Sequence, residues 1–337
     1  MIDVLVAGGG PVGLATALYA CRAGLSVAVI EPRAGDIDKA CGEGLMPEAV
    51  ARLADLGVDP PGRPFLGIRY LDGTRSAEAR FSHGPGRGVR RTVLHQALRR
   101  RAEAAGVAFV TDRVTSVVAT GTSVEAGGIT ARYLVGADGL HSSVRAATGL
   151  DREARGPQRF GVRQHFRVEP WTDLVEVYWL PDVEVYVTPV ADDVVGIAVL
   201  GGRPLSLDRA LAATPALQRR IEGAAPASDE RGAGPLRQSS SARTAGRTLL
   251  VGDAAGYVDA LTGEGLRIGF AQAQAVVDAI GRDDPHSYEG EWLRITRSYR
   301  YLTGTLIRVA QRPALRRLVV PAARAVPGAF ARVVDLL

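Results

Sequence analysis

Lysine is all but missing from this chain: every basic residue among its 337 is arginine except Lys39. Cysteine is scarce too. Cys21 and Cys41 are the only two, which excludes a disulfide framework and a cysteine-ligated zinc site and points to a reduced, cytoplasmic setting. No apolar run approaches the ~20 residues that span a bilayer, and Asp3 with the glycines after it spoils a secretory signal. The five histidines are dispersed, with no Ser-His-Asp set and no metal-ligand spacing, so no metal is expected. The arginines are scattered rather than gathered into a stripe with interleaved aromatics. The net charge of +5 therefore predicts no nucleic-acid partner, and an anionic cofactor or weak attraction to acidic lipid accounts for it. What remains, 46% hydrophobic and 23% charged, is a globular chain long enough to bury a large core.

The first thirty residues carry the clearest pattern. The apolar run DVLVA (3–7) reads as a buried parallel strand. GGGPVG follows, then a segment with helical spacing that Gly24 stops, on which Cys21 reads as a packed small hydrophobe. LSVAVIE is the next strand and ends on Glu31. In this βαβ unit Gly8, Gly10 and Gly13 occupy the G-x-G-x-x-G positions, where a tight turn lets a pyrophosphate reach a helix N-terminus. Gly8, Gly10, Pro11 and Gly13 are therefore expected cofactor contacts. Glu31 stands where a carboxylate accepts from a ribose 2′-OH. It would repel a 2′-phosphate, which favours FAD or NAD over NADP here.

Farther on, a helix is predicted over residues 92–105, then strands to residue 138. From 160 to 200 the texture changes to short β-branched and aromatic runs separated by Pro and Asp turns, the mark of an antiparallel sheet. RTLLVGDAAG, starting at Arg247, returns to the strand-then-glycine pattern. These shifts predict an α/β fold: a discontinuous Rossmann-like dinucleotide domain (1–62, 86–153 and 245–296), an inserted antiparallel substrate sheet (63–85 and 154–244) and a helical C-terminal segment (297–337). Either the tail helices, interrupted by Pro321 and Pro327, pack on the dinucleotide domain, or their mixture of arginine with Leu, Val and Ala forms a peripheral membrane patch.

Three stretches in register carry a family resemblance: the N-terminal fingerprint with Glu31, VGADGLHSSVR (135–145) and LLVGDAAGYVDALTGEGLRIGF (249–270). Together they resemble the flavoprotein superfamily of p-hydroxybenzoate hydroxylase-like monooxygenases and geranylgeranyl reductases. The third stretch resembles the reductase branch, which commonly reads GDAAG, F/Y-V-N-P, TGEG; Ala260 departs from both branches where proline is usual. The resemblance implies FAD, with Gly252 and Asp253 along the ribityl chain and pyrophosphate. Gly263, Gly265 and Leu266 would start a helix facing the flavin's pyrimidine edge, whose reduced anion a helix N-terminus stabilises. It matches Arg91 to a cofactor-contacting arginine, against a solvated helix-start arginine as the alternative. Asp138 is kept near the cofactor, by ordering its loop or by contact, against a simple Asp-Gly turn.

KACGEGL (39–45) resembles the reductase branch's cysteine-glycine loop, which lies over the flavin ring. That makes Cys41 the candidate catalytic residue, with a buried packing role as the alternative. Lys39 reads either as positive charge for reduced flavin, phosphates or an anionic substrate, or as a solvated loop cation. His165 reads as a strand residue on a solvent face, with a place in the pocket lining as the alternative. Tyr178, Trp179 and Tyr186 belong to the inserted sheet, where alternate residues point away from any pocket.

With one dinucleotide fold in the chain, NAD(P)H is expected as a transient donor. Monooxygenation of an aromatic, polyketide-like or lipid-like small molecule is favoured, because VEVYVTPV (183–190) departs from the aromatic Y-x-W-x-F-P pattern that the reductases use for isoprenoid chains and the chain is short for that subfamily. Reduction of an isoprenoid C=C bond is the alternative, and a flavin-binding protein without turnover the second. An apolar or aromatic substrate, a monomer or homodimer, and peripheral membrane contact complete the expectations.

Overall fold

The computed structural model describes residues 1–73 and 75–336. Its first layer is a parallel sheet in the order Thr248–Leu250, Ile129–Gly136, Ile2–Ala7, Val27–Ile30, Ala108–Val110. Both faces of the central strand are covered, and Val4, Leu5 and Val6 are fully buried. That is why the strand is continuously apolar rather than alternating. Helices Pro11–Arg22, Arg91–Ala104 and Gly265–Gly281 pack together beside it. The register pairs Ala7 with Gly136 and Ile30, and Gly136 with Leu250. The carboxyl ends of these strands therefore share one edge, where ligands of open α/β sheets bind. An antiparallel ladder, Val117–Ala119 and Val124–Ala126, extends Ile129–Gly136 on one side.

The second layer is a seven-stranded sheet in the order Arg231–Ala233, Phe160–Arg167, Val194–Gly201, Val183–Ala191, Val175–Trp179, Gly67–Asp72, Arg75–Arg80. All its neighbours are antiparallel except Val175–Trp179 and Gly67–Asp72, which run parallel. One face is covered by the short helices Leu207–Ala212 and Pro215–Arg220. A small sheet of Gly44–Leu45, Gly86–Gly88 and Arg63–Phe65 stands where the chain passes between the layers.

The tail corrects the packing expectation. Helices Val319–Ala325 and Pro327–Asp335 lie on strand Arg75–Arg80 of the second sheet, not on the dinucleotide layer. The cause is the strand's own alternation: Ala77 and Ala79 face inward and are too small to close a core, so Val320, Phe330 and Val334 cover them beside Ile68 and Trp179. Pro321 falls in the first turn of its helix and Pro327 opens the next, positions that proline tolerates. Helix Ser287–Ala310 runs unbroken through the boundary expected at 296/297. Among the described residues no helix is long and apolar enough to cross a membrane.

Buried charge ties tail and sheet together. Arg316 is 5% exposed, pairs with Glu184 at 2.6 Å and donates to the carbonyls of Leu180 and Val183. Glu184 also pairs with Arg159, which reaches Asp259 at 3.1 Å.

Candidate functional site

The glycine turn after Ile2–Ala7 meets the loop after Ile129–Gly136 at the shared strand edge. Gly8 donates to the Ile30 carbonyl at 2.8 Å and holds φ +110°, a conformation that glycine adopts readily and other residues rarely do. A side chain at Gly13 would collide with the Gly8 carbonyl, while Gly10 faces open space. Pro11 is the first residue of the helix that follows. Glu31 is buried: its Oε2 accepts from the Gly9 amide at 2.8 Å and its Oε1 from Arg33 Nε at 2.6 Å. Burial raises its pKa, but the hydrogen bonds from Arg33 and Gly9 outweigh it and hold the carboxyl below its ordinary value. His95, buried in the same corner, meets the Gly9 carbonyl through Nε2 at 3.1 Å.

Lys39, Cys41, Arg91 and Asp253 converge on the groove beside this turn. Lys39 is half-buried, with Nζ against Gly139, and makes no ion pair among the described residues. Burial lowers its pKa, and the nearby Asp253 carboxylate opposes that shift. The Asp253 carbonyl accepts from the Gly256 amide at 3.2 Å, while its carboxylate has no hydrogen-bond partner among the described residues. Burial raises its pKa against the pull of Lys39, Arg91 and Arg145. Arg91 opens its helix, donates its backbone N–H to Glu43 Oε1 at 2.8 Å, and leaves its buried Nε without a partner. Cys41 Sγ accepts from the Glu43 amide at 3.4 Å, and burial pushes its thiol pKa up.

The remaining expected residues frame the groove. Asp138 Oδ2 accepts from Ser143 Oγ and the Val144 amide, both at 3.1 Å, so it orders the start of helix Ser143–Ala147; its Oδ1 is buried without a partner. Gly252 donates to Gln272 Oε1 at 2.7 Å and lies against Val12 of the first helix. Gly263 abuts Met46, and Gly265 and Leu266 form the first turn of helix Gly265–Gly281 beside the Tyr257 ring. Glu264 at its N-cap is buried and pairs with Arg267; burial raises its pKa.

A second set of residues, Glu43, His165, Arg163 and Thr188, pins the cysteine loop onto the inserted sheet. Glu43 is buried at φ +59°, an uncommon conformation outside glycine. Its Oε2 accepts from His165 Nε2 at 2.5 Å, and His165 Nδ1 meets Ser228 Oγ at 2.7 Å. His165 is thus buried rather than solvent-facing, a correction with a local cause. Its cross-strand partner is Gly196, and the missing side chain there leaves room for both His165 and Glu43. Arg163, also buried, pairs with Asp38 and donates to the Lys39 carbonyl at 3.2 Å. Thr188 donates to the Gly42 carbonyl at 2.8 Å. On the inserted sheet Tyr178 faces the outer helices, whereas Trp179 and Tyr186 face the tail and the first layer, with the Tyr186 hydroxyl donating to the Leu261 carbonyl at 2.9 Å.

The Asp253 carboxylate, the Lys39 ammonium and Arg91, whose buried Nε has no partner, therefore lie close enough to influence one another, in the same layer as a helix that starts on bare glycine backbone. That chemistry fits a cofactor bearing hydroxyls and a pyrophosphate, and the two sheets around it define a flavoprotein oxidoreductase. The FAD binding domain family model matches residues 1–62 and 90–281, and the chain belongs to that family. It is 28% identical to the menaquinone reductase of Mycobacterium tuberculosis, over 84% of this chain and 77% of that protein. It is 30% identical to the chloroplastic geranylgeranyl diphosphate reductase of Oryza sativa, over 83% of this chain and 66% of that protein. In fold it matches the myxobacterial chondrochloren halogenase with a TM-score of 0.80 at 19% identity, covering 100% of this chain and 91% of that one.

Proposed function

We propose that this FAD-dependent oxidoreductase reduces a C=C bond of an apolar, isoprenoid-like small molecule, with a nicotinamide nucleotide as the electron source. The observation that carries the reading is the half-buried Cys41 thiol, which the Glu43 amide meets at 3.4 Å on a loop that Glu43 ties to the backbone of Arg91. Saturating a double bond adds hydride to one carbon and a proton to the other, so an acid must stand in an otherwise apolar site. Bound FAD, once reduced, would supply the hydride. The chain's own part is to hold that acid in place. Glu43, clamped by His165 and the Arg91 amide, fixes the loop on which Cys41 stands. Arg91 beside the thiol stabilises the thiolate left behind, and solvent returns the proton. Both reductases with similar sequence, by their names, act on isoprenoid compounds, which favours this reading over the oxygenase one.

Hydroxylation remains the second reading, favoured by one observation: strand Val183–Ala191 lacks the aromatic pattern expected for an isoprenoid chain. One experiment separates them. The flavin is reduced without oxygen and candidate alkenes and quinones are supplied. Reduction predicts turnover under nitrogen and a product two hydrogens heavier. Incorporation of ¹⁸O from ¹⁸O₂, with no anaerobic turnover, reverses the choice.

For a lipid-like substrate, the exposed Leu318, Val326 and Leu336 of the tail, interspersed with arginine, support weak peripheral docking on anionic lipid. Absence of co-flotation with anionic vesicles at low salt removes that part.

A further inference from the structure

Beside the Gly252–Ala255 turn, along helix Ser287–Ala310, lies a cavity of about 880 Å³ that shares only its inner end with the proposed flavin contacts. Arg152, Arg155, Arg237, Arg297 and Arg300 line it, and none of the five forms an ion pair among the described residues. The acids on its wall are Glu153 and, at the inner end, Asp253. Arg237 Nε and the Trp292 indole N–H are buried donors without acceptors. Two guanidiniums flank the Trp292 ring: Arg243, held by Glu289, at 4.1 Å and Arg300 at 5.2 Å. Arg237 is half-buried and the other four are exposed, so water screens their mutual repulsion, and an anion in the hollow is attracted by all five. The volume lies within the ~300–1,000 Å³ of small-molecule and cofactor sites, far more than one phosphate fills. The cavity meets the flavin groove at Gly252, Asp253 and Gly265, yet Gly8, Gly10, Glu31, Lys39, Cys41 and Arg91 lie outside its lining.

We propose that this cavity is a second nucleotide site, which takes the ADP half of the reduced nicotinamide donor and prefers NADPH to NADH. The arginines meet the phosphates, and the extra 2′-phosphate of NADPH finds additional guanidinium charge. Glu31 in the first nucleotide turn disfavours that same phosphate, so a donor carrying it needs a separate place. The proposal rests on the flavin reading, because a donor without an acceptor has no role.

The test uses the FAD-loaded protein. Calorimetric titration with ADP and NADPH should show binding while FAD stays bound, and ADP should compete with NADPH in flavin reduction. The R297E/R300E double variant, at exposed positions, and R237Q should each weaken NADPH binding about tenfold or more and raise its KM, with FAD content unchanged; loss of one charge-assisted hydrogen bond corresponds to about 10–150-fold. Wild-type affinity in both variants, or displacement by a prenyl diphosphate but not by ADP, overturns the proposal. Failure of the wild-type protein to hold FAD would instead sink the flavin reading.

Discussion

Asp259 offers a stability measurement whose sign runs against ordinary acid denaturation. It stands where the reductase branch commonly has asparagine, and its carboxylate is 3% exposed. Oδ1 accepts from the Leu261 amide at 3.0 Å and from Arg159 at 3.1 Å. Burial nevertheless outweighs the Arg159 charge and pushes its pKa up to about 6, against ~3.9 in an unfolded chain. Below about pH 4 the carboxyl is protonated in both states and contributes no difference. Above about pH 6 it is ionised in both, and the folded state alone bears the burial cost. Stability from this group is therefore lost as pH rises through that window. A gap of roughly two pKa units at ~1.36 kcal/mol each makes the loss about 3 kcal/mol. D259N keeps the Oδ1 acceptor and fixes the neutral state. It should leave the unfolding midpoint unchanged near pH 4 and raise stability by up to about 3 kcal/mol near pH 7, measured on the holoprotein in excess FAD so that cofactor loss does not move the midpoint. An equal shift at both pH values, or destabilisation at pH 7, refutes the reasoning.

Asp253→Ala and Glu31→Ala should each weaken FAD retention, since each removes a charged acceptor contributing ~1.5–3 kcal/mol, or about 10–150-fold in affinity; full FAD occupancy in both variants contradicts the cofactor assignment. Cys41→Ala should keep FAD and fold while slowing turnover or changing the product; unchanged activity with a lower melting temperature would reduce Cys41 to a packing residue. Arg316→Met should strip Glu184 of one of its two buried partners and cost about 3–5 kcal/mol. The double variant with Glu184→Gln should recover part of that loss, and an unaltered melting curve for Arg316→Met would show the pair to be inert.

Features set by neighbouring residues were legible in the sequence. The βαβ turn, Glu31 and the return of strand-then-glycine texture at Thr248 each depend on a few adjacent positions, and the strand ends carry them to one edge. The burial of His165 was not legible, because the glycine that makes room for it and the glutamate that binds it lie 31 and 122 residues away. The arginine-lined cavity escaped for a related reason. Its guanidiniums come from segments around 152, 237 and 300 that look like scattered surface charge until the fold gathers them. The tail's seat on the second sheet was not legible either, because the inward alanines of strand Arg75–Arg80 do not announce a surface in need of cover.

The strand order also has a consequence during synthesis. Ile129–Gly136 leaves the ribosome with one flank paired to Ile2–Ala7, while the partner for part of its other flank, Thr248–Leu250, is made later by the 114 residues that separate Gly136 from Leu250. At ~5–20 residues per second that interval lasts roughly 6–23 s. Throughout it the nascent nucleotide layer presents an open β edge, the kind that recruits foreign strands. Asp253 follows Leu250 by three residues and is made as that interval ends. With Asp253 as a proposed FAD contact, full capture of the cofactor waits until the inserted sheet has been made.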